Sequence, residues 1–270
     1  IKPRISCGLF PIKRTVGERV RVSAFIFADG HDRLAAVLSY RHQQEPWSEL
    51  PMNYARDDLW TAEFPVDILG TYEYTVKAWI DHFSTWQSAL LKKFQAGQDI
   101  GSELLEGAAM IDAAAGRAEQ PDRQWLHAAA EALRGGHSHR ILVDRATAAD
   151  LNTMMRRYPD RSRETVFEPV LTVTVEREQA RFGAWYEIFP RSVTPDSSRS
   201  GGFREVAAIV PEIAALGFTV LYLPPIHPIG RTNRKGRNNT LQAAADDPGS
   251  PWAIGSAEGG HKAVHPELGS

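Results

Sequence analysis

The feature that most constrains this chain is the change of hydrophobic period along it. From Gly70 to Asp81 the period is two. Tyr72, Tyr74, Val76, Ala78 and Ile80 share one face, and Thr71, Glu73, Thr75, Lys77 and Trp79 share the other. That pattern fits an extended strand and no helix. Val20, Val22, Ala24 and Ile26 alternate in the same way with Arg19, Arg21, Ser23 and Phe25. Further short strands are expected around Val37 to Tyr40 and from Trp60 to Phe64, with Asp29-Gly30 as a turn. Short, aromatic-rich strands separated by turns predict an antiparallel β-sandwich.

Between about Ser88 and Tyr158 the period becomes helical. Leu104, Leu105, Ala108 and Ile111 fall on one stripe. Trp125, Leu126, Ala129, Ala132 and Leu133 fall on another after Pro121-Asp122, and Gly135-Gly136 stops it. With Ala148 to Tyr158, three helices are expected, as an insertion before strand character returns at Val166 to Arg177. After Gly183 the style changes again. Trp185 to Phe189 reads as an apolar strand, Phe203 to Leu216 as a helix ended by Gly217, and Val220 to Leu223 as a strand buried on both faces. Strand, helix, strand is a βαβ unit and implies a parallel pair. The segment from Ile226 to Ser270 has no period and is dense in Gly, Pro, Asn and Asp. A loop of that length is uncommon unless functional or disordered. It follows the C-terminal end of a parallel strand, where α/β folds place ligands.

Composition narrows the function. Lys plus Arg is 31 against Asp plus Glu 33, a net charge of −2, so the basic surplus of a nucleic-acid binder is missing. No apolar run of membrane-spanning length and no basic-then-apolar leader occurs. Cys7 is the single cysteine, with no base beside it in sequence, and fits a reducing compartment. His261 and His265 lack the glutamate of a His-Glu-x-x-His helix, and His137 and His139 lie in a Gly-rich loop, so no metal is expected. Asp57-Asp58 and Asp246-Asp247 are adjacent carboxylates that point apart, which makes them poor acid/base pairs. The strongest local feature is Arg231-Thr232-Asn233-Arg234-Lys235-Gly236-Arg237-Asn238-Asn239. Four cations around a glycine suit a phosphate or several hydroxyls, since Gly236 admits close backbone approach. A solvated basic loop is the plainer reading, and nucleic acid a third that the net charge disfavours. The run is no Walker motif, because no Ser or Thr follows a Gly-Lys pair.

Three stretches go further: Phe182 to Ser192 (FGAWYEIFPRS), Leu221 to Asn239 (LYLPPIHPIGRTNRKGRNN) and Asp247 to Gly255 (DPGSPWAIG). Together they resemble the maltose-1-phosphate-using maltosyltransferases of glycoside hydrolase family 13, the α-amylase superfamily. The likeness is most specific over 180–270 and looser before. It implies a multidomain fold: an N-terminal antiparallel β-sandwich with a small helical insertion, followed by the start of a (β/α)8 TIM barrel. The implied boundaries are 1–95 for the first part of the sandwich, 96–160 for the insertion, 161–180 for the last sandwich strand and 181–270 for the beginning of the barrel.

The resemblance also implies activity. The family moves maltosyl units from α-maltose 1-phosphate onto an α-1,4-glucan and releases phosphate, with no cofactor or metal. Lys235 matches the family lysine that contacts the donor. Asn238 and Asn239 are weaker substrate-binding candidates, and Trp252 reads as packing of the loop. A homodimer through the sandwich and a cytoplasmic location are implied, with no nucleic acid and no membrane as partners. A retaining mechanism needs two carboxylates about 5–5.5 Å apart, which the superfamily takes from its fourth and fifth barrel strands. The chain is therefore expected to be the N-terminal part of a longer enzyme and to be inactive alone, so it contains no catalytic residue. The competing expectations are another superfamily member, such as a branching enzyme or glucanotransferase, and a non-catalytic glycan-binding or dimerisation module.

Overall fold

A computed structural model of the chain describes residues 1–196 and 198–269. It divides into two units, Ile1–Arg177 and Glu178–Ser270.

In the first unit the sandwich strands are β1 (Ile12–Thr15), β2 (Glu18–Phe25), β3 (Leu34–His42), β4 (Ser48–Pro51), β5 (Asn53–Arg56), β6 (Leu59–Val66), β7 (Gly70–Ile80), β8 (Thr165–Val166) and β9 (Leu171–Glu176). One sheet runs β1-β9-β7-β3-β4, with β8 also on β7, and the other runs β2-β6-β5. The alternation read from the sequence decides which side chains lie between them. Tyr72, Tyr74 and Val76 of β7, Leu38 of β3 and Val173 of β9 pack with Val20, Phe64 and Val66 of the second sheet, all buried. Tyr74 is held further by donating its hydroxyl to the Pro3 carbonyl. The two sheets thus share one core, as in a β-sandwich.

One pairing departs from the antiparallel expectation. β1 runs parallel to β9, with Ile12 opposite Val173. A tight hairpin forces antiparallel neighbours, but these two strands are joined through most of the unit, and a long connection leaves direction free. At the other extreme, β5 and β6 are joined only by Asp57 and Asp58, both at positive φ (47° and 60°). That is the backbone of a primed hairpin turn, so this carboxylate pair is a turn.

Five helices follow β7 directly: α1 (His82–Gln95), α2 (Gly101–Arg117), α3 (Asp122–Arg134), α4 (His139–Ala146) and α5 (Ala149–Arg157). Helical structure begins at His82, inside the 1–95 segment that the sequence assigns to the sandwich, because Asp81 is a strong N-cap. Its carboxylate accepts the Ser84 N–H at 2.9 Å and the Ser84 hydroxyl at 2.6 Å. The aromatic-rich start of α1 hides this in sequence, yet Phe83, Trp86 and Leu90 take helical spacing and are buried. The helices enclose a core of their own, including Leu104, Ile111, Leu126, Leu142 and Leu151. The 161–180 segment returns to the sheet as two strands, β8 and β9.

The second unit holds β10 (Trp185–Glu187), α6 (Phe203–Ala215) and β11 (Val220–Tyr222). β10 and β11 are parallel, with Trp185 opposite Val220. Glu205 starts α6 by accepting the Gly202 N–H at 2.8 Å, and Gly217 ends it at φ +90°. The expected burial on both faces of β11 is not found. Tyr222 is 44% exposed and Trp185 65%, since among the described residues this sheet has only two strands. Among the described residues no helix is long and apolar enough to cross a membrane.

Candidate functional site

The candidate site is the long loop that leaves the C-terminal end of β11. Main-chain bonds fold it back on itself. The His265 N–H reaches the Ile226 carbonyl at 2.8 Å, and the Gly230 N–H reaches the Ala253 carbonyl at 2.8 Å. Ile229 is buried between these anchors. Residue 230 has no room for a side chain: a Cβ there would lie 2.3 Å from the Ile254 carbonyl oxygen. Trp252 meets Phe189 edge to face, with centroids 5.5 Å apart, while remaining 59% exposed.

Inside this frame the basic run closes a small turn. The Gly236 N–H donates to the Thr240 carbonyl at 3.0 Å, and a Cβ on residue 236 would come within 2.3 Å of the Gln242 carbonyl oxygen. Asn233, Asn238 and Asn239 have φ of 53°, 53° and 63°. Asparagine tolerates this left-handed backbone better than most residues, which gives all three a conformational role. Asp247 clamps the far side. Its buried carboxylate accepts the Ala244 N–H at 2.7 Å and lies 3.4 Å from Arg237 Nε. Arg234 donates from Nη1 to the Asp247 carbonyl at 2.8 Å. Arg231 lies 3.8 Å from Glu258.

The electrostatic result is selective. Arg231, Arg234 and Arg237 each find an acceptor, whereas half-buried Lys235 has no hydrogen bond or ion pair among the described residues. The turn therefore offers one cation with no internal partner at all, Lys235, while Arg234 is held only by a neutral main-chain carbonyl and its buried Nε lacks an acceptor among the described residues. Asn238 and Asn239 follow it in the same turn with exposed side chains.

Three groups escaped the sequence reading. Arg191 sits in the Phe-Pro-Arg-Ser stretch with Nε and Nη2 buried and without acceptors among the described residues. Burial pushes its pKa down, and Glu267 opposes that shift. His265 is held below the ordinary histidine range by burial and then by the Arg191 charge. Its Nδ1 can therefore accept the Glu267 N–H, at 3.2 Å. Asp247, read from sequence as half of a poor acid/base pair, is the clamp of the loop; the following Pro248-Gly249, with Gly249 at φ +77°, was the available signal. His261 packs edge-on against the buried His227, with centroids 5.3 Å apart. Among the described residues no three His, Cys, Asp or Glu side chains gather as a metal group.

Fold and loop together define a modular protein: a β-sandwich domain carrying a helical insertion, and an α/β segment with an anion-suited loop. The family model described as alpha-1,4-glucan:maltose-1-phosphate maltosyltransferase, domain N/S, matches residues 1–177, the span of the first unit. The chain belongs to this family. It is similar over its whole length to proteins named alpha-1,4-glucan:maltose-1-phosphate maltosyltransferase. That of Myxococcus xanthus (strain DK1622) is 50% identical over 279 residues, covering 100% of this chain and 42% of the relative. That of Chlorobaculum tepidum is 46% identical over 269 residues, covering 99% and 40%. That of Methylacidiphilum infernorum is 42% identical over 272 residues, covering 100% and 40%. The chain spans about two fifths of the length of these curated relatives.

Proposed function

We propose that this chain is the N-terminal part of a retaining glycosyltransferase that moves maltosyl units from α-maltose 1-phosphate to the non-reducing end of α-1,4-glucans and releases phosphate. The observation that carries this reading is the 42–50% identity to maltosyltransferases across the entire chain, the basic loop included. The β10-α6-β11 unit is read as the first two strands of a (β/α)8 barrel. Its parallel register supports this, as does the ligand-suited loop at the C-terminal end of β11.

In this reading Lys235 faces the donor phosphate. An ammonium without an internal partner offsets the phosphate dianion on binding and stabilises it as it departs. Asn238 and Asn239 hold the turn in its left-handed course and present amides to the donor. The nucleophile and the acid/base belong to later barrel strands. Asp247 takes neither role, because its carboxylate is buried and spent on the loop. The sandwich serves a homodimer, and the protein works in the cytoplasm.

The test uses the full polypeptide that carries this chain, incubated with α-maltose 1-phosphate and a maltooligosaccharide. Phosphate release matched by glucan products two glucose units longer is the expected result. Glucan remodelling without phosphate release would favour a branching enzyme or glucanotransferase instead.

A further inference from the structure

The first unit carries a cavity of about 590 Å³ between residues 1–4, β1 and the outer face of β2. Lys2, Arg4, Arg14, Arg21, Ser23 and Phe25 line it, and no aspartate or glutamate does. We infer that this cavity is a binding site for a small anion carrying two or more phosphate groups.

The strand period brings these groups together. Val20, Val22 and Ala24 point into the sandwich core, so Arg21, Ser23 and Phe25 stand on the opposite face of β2. Residues 1–4 run beside that strand: the Lys2 N–H donates to the Ser23 carbonyl and the Ser23 N–H to the Lys2 carbonyl, both at 2.8 Å. Arg14 reaches the same space from β1.

Charge selects the ligand. Among the described residues none of the four cations meets a carboxylate. Lys2 and Arg21 have no side-chain partner there, Arg4 stands 6.0 Å from the Phe167 ring centroid, and Arg14 donates Nη1 to the neutral Lys13 carbonyl at 2.7 Å. Their neighbours on the same strands are paired: Lys13 lies 3.5 Å from Glu176, and Arg19 lies 2.8 Å from Glu63. Glu63 stands opposite Arg21 in the β2-β6 register, yet Arg19 takes its carboxylate. A chain of net charge −2 thus leaves four like charges uncompensated in one concavity. A cleft of a single sign focuses its potential on a counter-ion, and guanidinium forks fit phosphate oxygens. The volume sets the size. It falls within the roughly 300–1,000 Å³ of small-molecule sites, which leaves room for a phosphate chain or a nucleotide and not only for a single phosphate ion. Phe25, 67% exposed, offers a ring on which a planar base can stack.

The experiment titrates sodium tripolyphosphate and, separately, ADP into the full polypeptide that carries this chain, by calorimetry at fixed ionic strength. Both are expected to bind, and orthophosphate about tenfold more weakly, since it engages fewer of the cations. Lys2→Ala and Arg21→Ala, both at exposed positions, should each weaken tripolyphosphate binding about five- to twentyfold. Lys13→Ala removes a neighbouring cation that is already paired, and should change it by less than about twofold. Slowed backbone hydrogen exchange in β2 on adding tripolyphosphate is read on the wild type, so it decides even where a variant fails to fold. Phe25→Ala separates the two sources of the phosphate chain: a loss for ADP alone identifies a nucleotide, and unchanged binding of both probes identifies the phosphate chain itself. No binding of either probe at millimolar concentration, equal losses in Lys13→Ala and Arg21→Ala, or protection confined to residues outside the cavity would overturn the inference. It stands apart from the maltosyltransferase reading, because no residue of the loop after β11 enters it.

Discussion

Asp247 Oδ1 lies 3.4 Å from Arg237 Nε, and its other oxygen accepts the Ala244 N–H at 2.7 Å. The carboxylate is buried, whereas the Arg237 side chain is 80% exposed. The main-chain bond is therefore the stronger element, since an exposed cation contributes little. Asp247→Ala should remove the acceptor of the Ala244 N–H, which sits on an exposed residue, and weaken the turn by about 0.5–1.5 kcal/mol, the net worth of a typical hydrogen bond. Limited proteolysis should then cut between residues 236 and 244 faster than in the wild type. Resistance equal to the wild type would show that the clamp does not hold the turn.

The unpaired ammonium of Lys235 leads to a kinetic expectation in the full polypeptide. Lys235→Ala should lower kcat/KM for maltose 1-phosphate by about ten- to a hundredfold, the range of one hydrogen bond to a charged group. The KM for the glucan acceptor should move much less. Equal losses on both sides would remove the phosphate role.

Trp86 of α1 fills the space beside Gly107 of α2. A Cβ on residue 107 would lie 2.0 Å from the indole ring, and Trp86 is fixed by donating Nε1–H to the Glu103 carbonyl at 2.7 Å. Gly107→Ala usually favours a helix by propensity. Here overpacking should win and destabilise the helical insertion by about 1–3 kcal/mol. A lowered urea midpoint is the measurement, and an unchanged or raised one would refute the contact.

Glu49 of β4 accepts Arg161 at 2.7 Å and Lys77 at 2.9 Å. Burial alone would raise its pKa, but the hydrogen bonds and charges of Arg161 and Lys77 outweigh it and hold the carboxyl below the ordinary glutamate value. The folded protein thus binds this proton less readily than the unfolded chain. The stabilisation is present above the ordinary glutamate pKa and is lost as pH falls through the depressed folded value. Glu49→Gln should be less stable than the wild type at neutral pH, and the gap should close in the acid range. Denaturation midpoints across pH 3 to 7 test this; a gap independent of pH would contradict it.

Much of the architecture was legible because periodicity reports which face of an element is buried. The alternation in β7 placed Tyr72, Tyr74 and Val76 in the core, and the helical stripes of α2 and α3 placed Leu104, Ile111 and Leu126. Composition misled at α1, where an aromatic-rich stretch concealed the Asp81 cap.

The sequence by itself determined the succession of sandwich, helical insertion and strand-helix-strand segment, though it predicted three helices in the insertion where five form, and through its motifs the family to which the chain belongs. Tertiary structure decided the parallel pairing of β1 with β9, which joins segments far apart in the chain. It also decided which cation in the basic run is free. Arg231 finds Glu258, and Arg234 and Arg237 find Asp247, 27, 13 and 10 residues away, while Lys235 finds no partner among the described residues. A local pattern counts four equivalent charges. Only the folding back of the loop decides which of those cations meets a carboxylate, as Arg231 and Arg237 do, which meets a neutral carbonyl, as Arg234 does, and which meets neither.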